Sequence, residues 1–263
     1  MNILQKIVAH KKEEVTQAKA KVSVEALQEV CAARTFRPFE ANLAAATKER
    51  MAIIAEIKRA SPSKGVICAG LNPAVQAVAY EKGGASALSV LTDHHFFKGT
   101  EADLKAARAH CDLPVLRKDF IIDPYQIFET AAMGADAALL IVRILSQPQL
   151  SEYMAICREL GLAVLVETHN AQEIERAVLA GATIVGVNNR NLESFDTNIT
   201  RSAELAEKVA SNTILVAESG IWTADDVRQL AQTGIRVFLV GESLVRAEDP
   251  VKTLKELVYA TVA

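Results

Sequence analysis

GADAALLI, residues 134–141, reads as a glycine that ends one element and a small, aliphatic run that begins another. The run suits a buried parallel strand packed under Ala-rich helices. Four variants of the phrase occur elsewhere: GGASALSV at 83–90, GLAVLVE at 161–167, GATIVGV at 181–187 and GIRVFLV at 234–240. A helix-stop, strand-start device used repeatedly, with glycine closing the helix, marks a chain built from βα units.

From about residue 50 onward the same pattern yields eight strand-like runs: 52–58, 87–91, 114–119, 136–142, 163–167, 183–188, 213–218 and 236–240. Their spacing of roughly 20 to 35 residues is what a strand, a loop and a crossover helix require. Helix starts are also legible. Asn72-Pro73, Asp123-Pro124 and Asp249-Pro250 put a capping side chain before a first-turn proline, and Thr100, Asn170 and Thr223 each precede an acidic residue by three positions. Eight strands alternating with helices close most simply into a (β/α)8 TIM barrel. An open, doubly wound sheet is the competitor, but it would carry a glycine-rich dinucleotide or P-loop, and neither motif occurs. Residues 1–48 precede the count and read as three helices, Ile3–Ala20, Val24–Ala32 and Phe36–Ala46. No linker follows them, so 1–263 is expected to be one barrel domain with an N-terminal helical extension.

Half of the residues are hydrophobic and only 5% aromatic, so the core must be built of Ala, Val, Ile and Leu. A net charge of −3 without a basic stripe argues against nucleic acid, and any anion site must be local. Cys31, Cys68, Cys111 and Cys157 are scattered, as expected of reduced thiols in a cytoplasmic protein rather than a disulfide frame or zinc site. The opening MNILQKIVAHKKEEV has no continuous apolar stretch and suits neither a signal peptide nor a membrane anchor.

AEIKRASPSKG, residues 55–65, poses the functional question. With a period of two, Ile54, Glu56 and Lys58 share one strand face. The same alternation pairs Leu116 with Lys118, Leu165 with Glu167, Ile184 with Asn188 and Val216 with Glu218. If the aliphatic partners fill the barrel, the polar residues converge on its C-terminal mouth, where such barrels carry their chemistry. A purely structural ion-pair network is the bland account. Desolvating a charge still costs several kcal/mol, against a net stability of about 5–15 kcal/mol, so five such groups are a poor way to fill a barrel. Mixed lysines and carboxylates suit proton transfer to and from carbon-bound oxygen.

Ser219-Gly220 follows the seventh run and Gly241-Glu242-Ser243 the eighth, the usual place for a phosphate in such barrels, with Arg190 and Ser61 nearby. Phe96, Phe97 and Phe120 follow the second and third runs and offer walls for a flat ligand. His94-His95 are adjacent and do not suit tetrahedral chelation. His169, after Glu167, could tune that carboxylate, but it is expected to face solvent.

AEIKRASPSKG, SVLTD, LRKDFIIDPYQI, VLVETHN, GVNNRNL, VAESGI and FLVGESLVR, in that order, resemble the indole-3-glycerol phosphate synthase family over essentially the whole chain. The resemblance implies ring closure, decarboxylation and dehydration of 1-(2-carboxyphenylamino)-1-deoxyribulose 5-phosphate, with no metal or organic cofactor. It also implies a small phosphorylated substrate, no nucleic acid or membrane partner, and a chain expected to act as a monomer. Matched positions are Glu56 and Lys58, Lys118 as general acid, Glu167 as general base, and Asn188, Glu218 and Ser219 around the reacting carbonyl and hydroxyls. Ser61, Arg190, Gly220, Gly241 and Glu242 match the phosphate cradle, although Glu242 stands where some relatives have Ser. The aromatic ring is expected against Phe97, Phe120, Pro62 and Leu192. Lys118 is expected to have its pKa lowered toward neutrality by cations and apolar walls. The runners-up are another phosphosugar-converting barrel and a non-catalytic phosphate-ligand sensor.

Overall fold

The computed structural model describes residues 2–191, 195–210 and 212–260. Each of the eight expected runs contains a strand: β1 Ala52–Ile57, β2 Ala87–Leu91, β3 Val115–Lys118, β4 Ala137–Ile141, β5 Ala163–Thr168, β6 Ile184–Asn188, β7 Ile214–Glu218 and β8 Val237–Val240. All neighbours pair in parallel, and β1 closes the barrel by pairing with both β2 and β8. The helices are α1 Ile3–Lys21, α2 Val24–Ala32, α3 Phe39–Ala46, α4 Pro73–Lys82, α5 His94–Phe97, α6 Glu101–Ala109, α7 Tyr125–Met133, α8 Gln147–Leu160, α9 Ala171–Leu179, α10 Thr200–Leu205, α11 Ala224–Ala231, α12 Glu242–Arg246 and α13 Pro250–Val258.

Alternation along the strands sorts the core into an inside and an outside. Ala52, Ile54, Leu116, Leu139, Leu165, Ile184, Val216 and Leu239 form one buried cluster within the barrel. Ile53, Ala55 and Ile57 face the other way, against Tyr80 of α4, Leu104 of α6 and Leu254 of α13. Ala138 and Leu140 do the same toward α8 and α9. The chain's scarcity of aromatics is consistent with this: the interior takes small and branched side chains from every strand.

The extension works at both ends of the barrel. Phe39 and Leu43 of α3 are fully buried in the inner cluster, so α3 plugs the end where the strands begin. That helix starts at Phe39, not Phe36, because Pro38 disfavours a helical residue before it. Arg37 lies outside the helix, its N–H donating to Asp136 Oδ1 at 2.9 Å and its guanidinium to the Leu113 carbonyl at 2.8 Å. At the opposite end, Lys11 of α1 is buried and reaches Asp93 Oδ2 at 3.0 Å and Asp119 Oδ1 at 2.9 Å, in the loops after β2 and β3. Those carboxylates raise its pKa against the effect of burial, so it stays charged. Lys11 thereby fixes α1 across the mouth.

Candidate active site

Extending the inner faces of the strands by one or two residues leads directly into a cavity open to solvent on one side. Glu56 and Lys58 from β1, Lys118 from β3, Glu167 from β5, Asn188 from β6 and Glu218 with Ser219 from β7 all line it. Lys118 Nζ lies 3.0 Å from Glu167 Oε2 and 3.9 Å from Glu218 Oε2. Asn188 Nδ2 donates to Glu167 Oε1 at 3.2 Å, and Lys58 Nζ donates to Glu56 Oε1 at 2.5 Å. Arg117, one residue before Lys118, points outward and is spent on Thr130, Glu129 and Asp119. The LRKD stretch thus puts one cation inside the barrel and one outside, as the period of two demands.

The electrostatics correct one expectation. Burial alone would depress the Lys118 pKa, but Glu167, Glu218 and Glu56 outweigh it and raise the pKa. The neighbours are carboxylates, not cations, so Lys118 is an ammonium throughout the neutral range. The two nearest glutamates part company. Burial opposes ionisation of Glu167, yet Lys118, His169 and Asn188 together hold its carboxyl below the usual range. Glu218 is driven well above that range, by burial first and then by the Glu167 carboxylate, and its Oε1 is buried without a hydrogen-bond partner. A carboxyl group held ionised and one whose ionisation is opposed thus lie side by side, with an ammonium between them, an arrangement suited to both giving and taking protons within one cavity.

His169 is a second correction. It is buried rather than solvent-facing, because Glu173 in the first turn of α9 accepts both its backbone N–H at 2.8 Å and a contact from Nδ1 at 3.2 Å. Its Nε2 lies 3.6 Å from Glu167 Oε1.

A smaller pocket adjoins the cavity, lined by Lys58, Arg190, Ser219, Gly220, Gly241 and Glu242 among others. Arg190 donates to Ser63 Oγ at 3.2 Å, and its NH2 lies 3.6 Å from Glu242 Oε2, which also meets Arg246 through Oε1 at 3.2 Å. Ser61 lines the main cavity, its Oγ 3.4 Å from Ser63 Oγ. Gly220 has φ of 80°, and a Cβ there would fall 2.5 Å from Thr197 Cγ2, so both conformation and space call for glycine. Phe97, Phe120 and Pro62 line the main cavity, the two rings 5.9 Å apart, while Phe96 does not line it and meets His10 and His95 edge-on. Leu192 lies outside the described residues. Among the described residues no group of three or more His, Cys, Asp or Glu side chains is disposed to hold a metal ion.

Three features of the cavity escaped sequence reasoning. Ile3, Leu4 and Ile7 of α1 line it, a long-range contact that nothing local announces. Ser63 joins Arg190 only through the fold of the loop after β1. Gly186, at the inward position between Ile184 and Asn188, leaves the space into which Glu218 reaches: a Cβ there would sit 2.0 Å from Glu218 Oε1. A glycine inside a strand is a readable mark of such close approach.

A family model for indole-3-glycerol phosphate synthase matches residues 4–257. The indole-3-glycerol phosphate synthase of Desulfosudis oleivorans is 50% identical over 258 residues, covering 97% of this chain and 98% of that protein. The protein of the same name from Paracidovorax citrulli is 47% identical over 262 residues, again with 97% and 98% covered. Among solved structures, a thiamine phosphate pyrophosphorylase from Pyrococcus furiosus superposes with a TM-score of 0.59 over 79% of this chain and 93% of that one. At 18% identity that likeness speaks to the barrel fold alone.

Proposed function

The chain belongs to the indole-3-glycerol phosphate synthase family, and from that premise we propose how its own residues divide the work of the reaction. It is a carboxy-lyase of tryptophan biosynthesis. The conversion of 1-(2-carboxyphenylamino)-1-deoxyribulose 5-phosphate to indole-3-glycerol phosphate, carbon dioxide and water sets the proton balance. The ring carbon that bears the carboxylate attacks the ribulose ketone, whose oxygen takes a proton. Carbon dioxide leaves with its bonding electrons returned to the ring. The new hydroxyl departs as water after a second protonation, and the adjacent carbon gives up one proton. Two protons in and one out leave a net uptake of one.

Lys118 supplies the proton to the ketone oxygen. Its raised pKa is no obstacle, since the developing alkoxide is a far stronger base than the amine. Glu167, held ionised, takes the carbon-bound proton, with Asn188 fixing its orientation. Glu218, kept neutral by its site, donates a hydrogen bond to a substrate oxygen, and Ser219 lies beside it. Lys58, in contact with Glu56, lines both the cavity and the smaller pocket, the place for the second acid at the ribulose end. The observation that carries this reading is the set of two lysines and three glutamates on inward strand ends, with differently poised carboxyl groups around one ammonium.

The phosphate fits the smaller pocket, with Arg190 as side-chain donor and Gly220 and Gly241 allowing backbone approach, while Ser61 would reach it from the adjoining cavity. A carboxylate cannot donate to a phosphate, and that of Glu242 is already near Arg190 and Arg246, so Glu242 serves through its backbone N–H. Arg190→Ala should raise the inhibition constant of a phosphorylated product analogue roughly ten- to hundredfold, the worth of one charged hydrogen bond. An unchanged constant would count against the cradle. The aromatic ring lies between Phe97, Phe120 and Pro62.

Buried Lys11 ties the N-terminal extension to the barrel, in keeping with a single domain, and the chain is proposed to act as a monomer. Light scattering that gave a mass near twice 28.4 kDa would overturn the monomer. Three of the four free cysteines are buried, in keeping with a reducing, cytoplasmic setting, and no described helix is long and apolar enough to cross a membrane. The function itself is tested by supplying the carboxyphenylamino-deoxyribulose phosphate in the presence of EDTA and following indole fluorescence. Turnover without added cofactor is expected; a folded chain that binds phosphate yet yields no indole would favour a sensor.

A further inference from the structure

Next to Glu167, but not among the residues that line the cavity, lies a group that the reaction as set out above leaves idle. The side chain of His169 is only 2% exposed, and its Nε2 is buried with no hydrogen-bond partner. An unpaired buried nitrogen is a liability that folded proteins generally remove. Here the ring is held on purpose. Glu173 accepts from Nδ1 at 3.2 Å and from the His169 backbone N–H at 2.8 Å, Asn170 donates to Glu173 Oε1 at 3.1 Å, and Arg143 meets that same oxygen at 3.0 Å. So braced, the imidazole presents Nε2 to Glu167 Oε1 at 3.6 Å, too long for a hydrogen bond in the resting site and short enough to become one.

The need for such a partner arises during turnover. At rest, Glu167 is held by Lys118 on Oε2 and by Asn188 on Oε1. On the reading that Lys118 is the acid and Glu167 the base, Lys118 must turn to the ketone oxygen and loosen its ion pair just when Glu167 has to remain an aimed carboxylate. A buried carboxylate left with one neutral amide has lost its counter-charge and would take up a proton. We propose that His169 is a positioning residue for this reaction: an imidazolium lying between the Glu173 and Glu167 carboxylates, with Nδ1–H on Glu173 and Nε2–H aimed at Glu167, that closes on Glu167 when Lys118 turns to the substrate and keeps its proton throughout. The charged and titratable groups around it are Glu167 on its own strand, Glu173 from α9, Arg143 from the turn after β4, and, beyond Glu167, Lys118 from β3 and Glu218 from β7. The resting electrostatics agree, since His169 already helps to keep both Glu167 and Glu173 ionised.

The test is the pH dependence of kcat for His169→Gln, whose amide still reaches Glu167 but carries no charge. The acid limb, where Glu167 becomes protonated, should move up by about one pH unit, a tenfold weaker preference for the carboxylate. KM should stay within about twofold, because no substrate contact is lost. Glu173→Gln, which keeps the ring and removes its brace, should move the same limb in the same direction by less. Should His169→Gln fail to fold, Glu173→Gln decides the matter alone, and a limb that superposes on the parent's would overturn the role. Glu167→Gln separates the two readings. If it turns over normally, the base assignment fails and this inference with it; if it is inactive beside an unshifted His169→Gln limb, only the role of His169 is lost.

Discussion

Lys118→Met is expected to lose turnover by about 10²–10⁴-fold or more, the usual worth of a positioned general acid, while a phosphorylated ligand still binds within about tenfold. Methionine keeps the length and apolar body of the side chain and removes only the ammonium. The phosphate pocket, with Arg190, Gly220 and Gly241, does not include Lys118, so most of the ligand's binding contacts survive. The local response is also foreseeable. Without the ammonium, Glu167 loses its contact at 3.0 Å and takes up a proton more readily, so the variant forfeits its base as well as its acid. Breaking a buried pair can cost about 3–5 kcal/mol, but protonation of the carboxyl group relieves much of that, and the variant should remain folded. Indole fluorescence for turnover and titration with a phosphorylated analogue for binding give the two readings. Near-parental turnover would remove Lys118 from the chemistry; lost turnover with equally lost binding would make it a binding residue.

Gly186→Ala should disable the site from a position that touches no substrate. The added methyl would lie 2.0 Å from Glu218 Oε1, 3.1 Å from its carboxyl carbon and 3.3 Å from Leu165 Cδ1. The obstructing group is the end of a side chain, so the barrel can form by displacing the Glu218 carboxyl, at a cost of about 1–3 kcal/mol for overpacking. Displacement carries it toward or away from Lys118 and Glu167, the two groups whose charge states depend on where it lies. A misplacement of about 1 Å in a catalytic constellation can cost about 10²-fold, and a loss of that order in kcat is expected here. Thermal unfolding alongside turnover checks the claim: a cooperative transition lowered by several degrees with activity reduced a hundredfold supports it, and parental kcat refutes it.

The two variants differ in how far they could be read from the chain itself. Lys118 was legible because alternation along LRKDF places it on the face of Leu116, and the structure puts Leu116 in the inner cluster. Glu56, Glu167, Asn188 and Glu218 were legible for the same reason. The start of α3 was misread by three residues because the apolar pattern from Phe36 is helical while Pro38 forbids that geometry before it. His169 was misjudged because solvent exposure after a strand end is the usual case, and the Glu173 side chain that pulls the ring inward acts across a turn that no periodicity describes.

By itself the sequence determined the element order, the closed parallel barrel, and which side chains face its interior. These follow from local chemistry: period-two alternation, glycine and proline punctuation, and helix caps act over a few residues and leave their marks in the string. Only the tertiary structure decided the charge states within the mouth, the α1 wall of Ile3, Leu4 and Ile7, the Lys11 tie to Asp93 and Asp119, and the space at Gly186 that Glu218 occupies. Each of these depends on groups brought within a few ångströms from distant parts of the chain. Burial and Coulomb interactions are set by those distances in space, not by separation along the sequence.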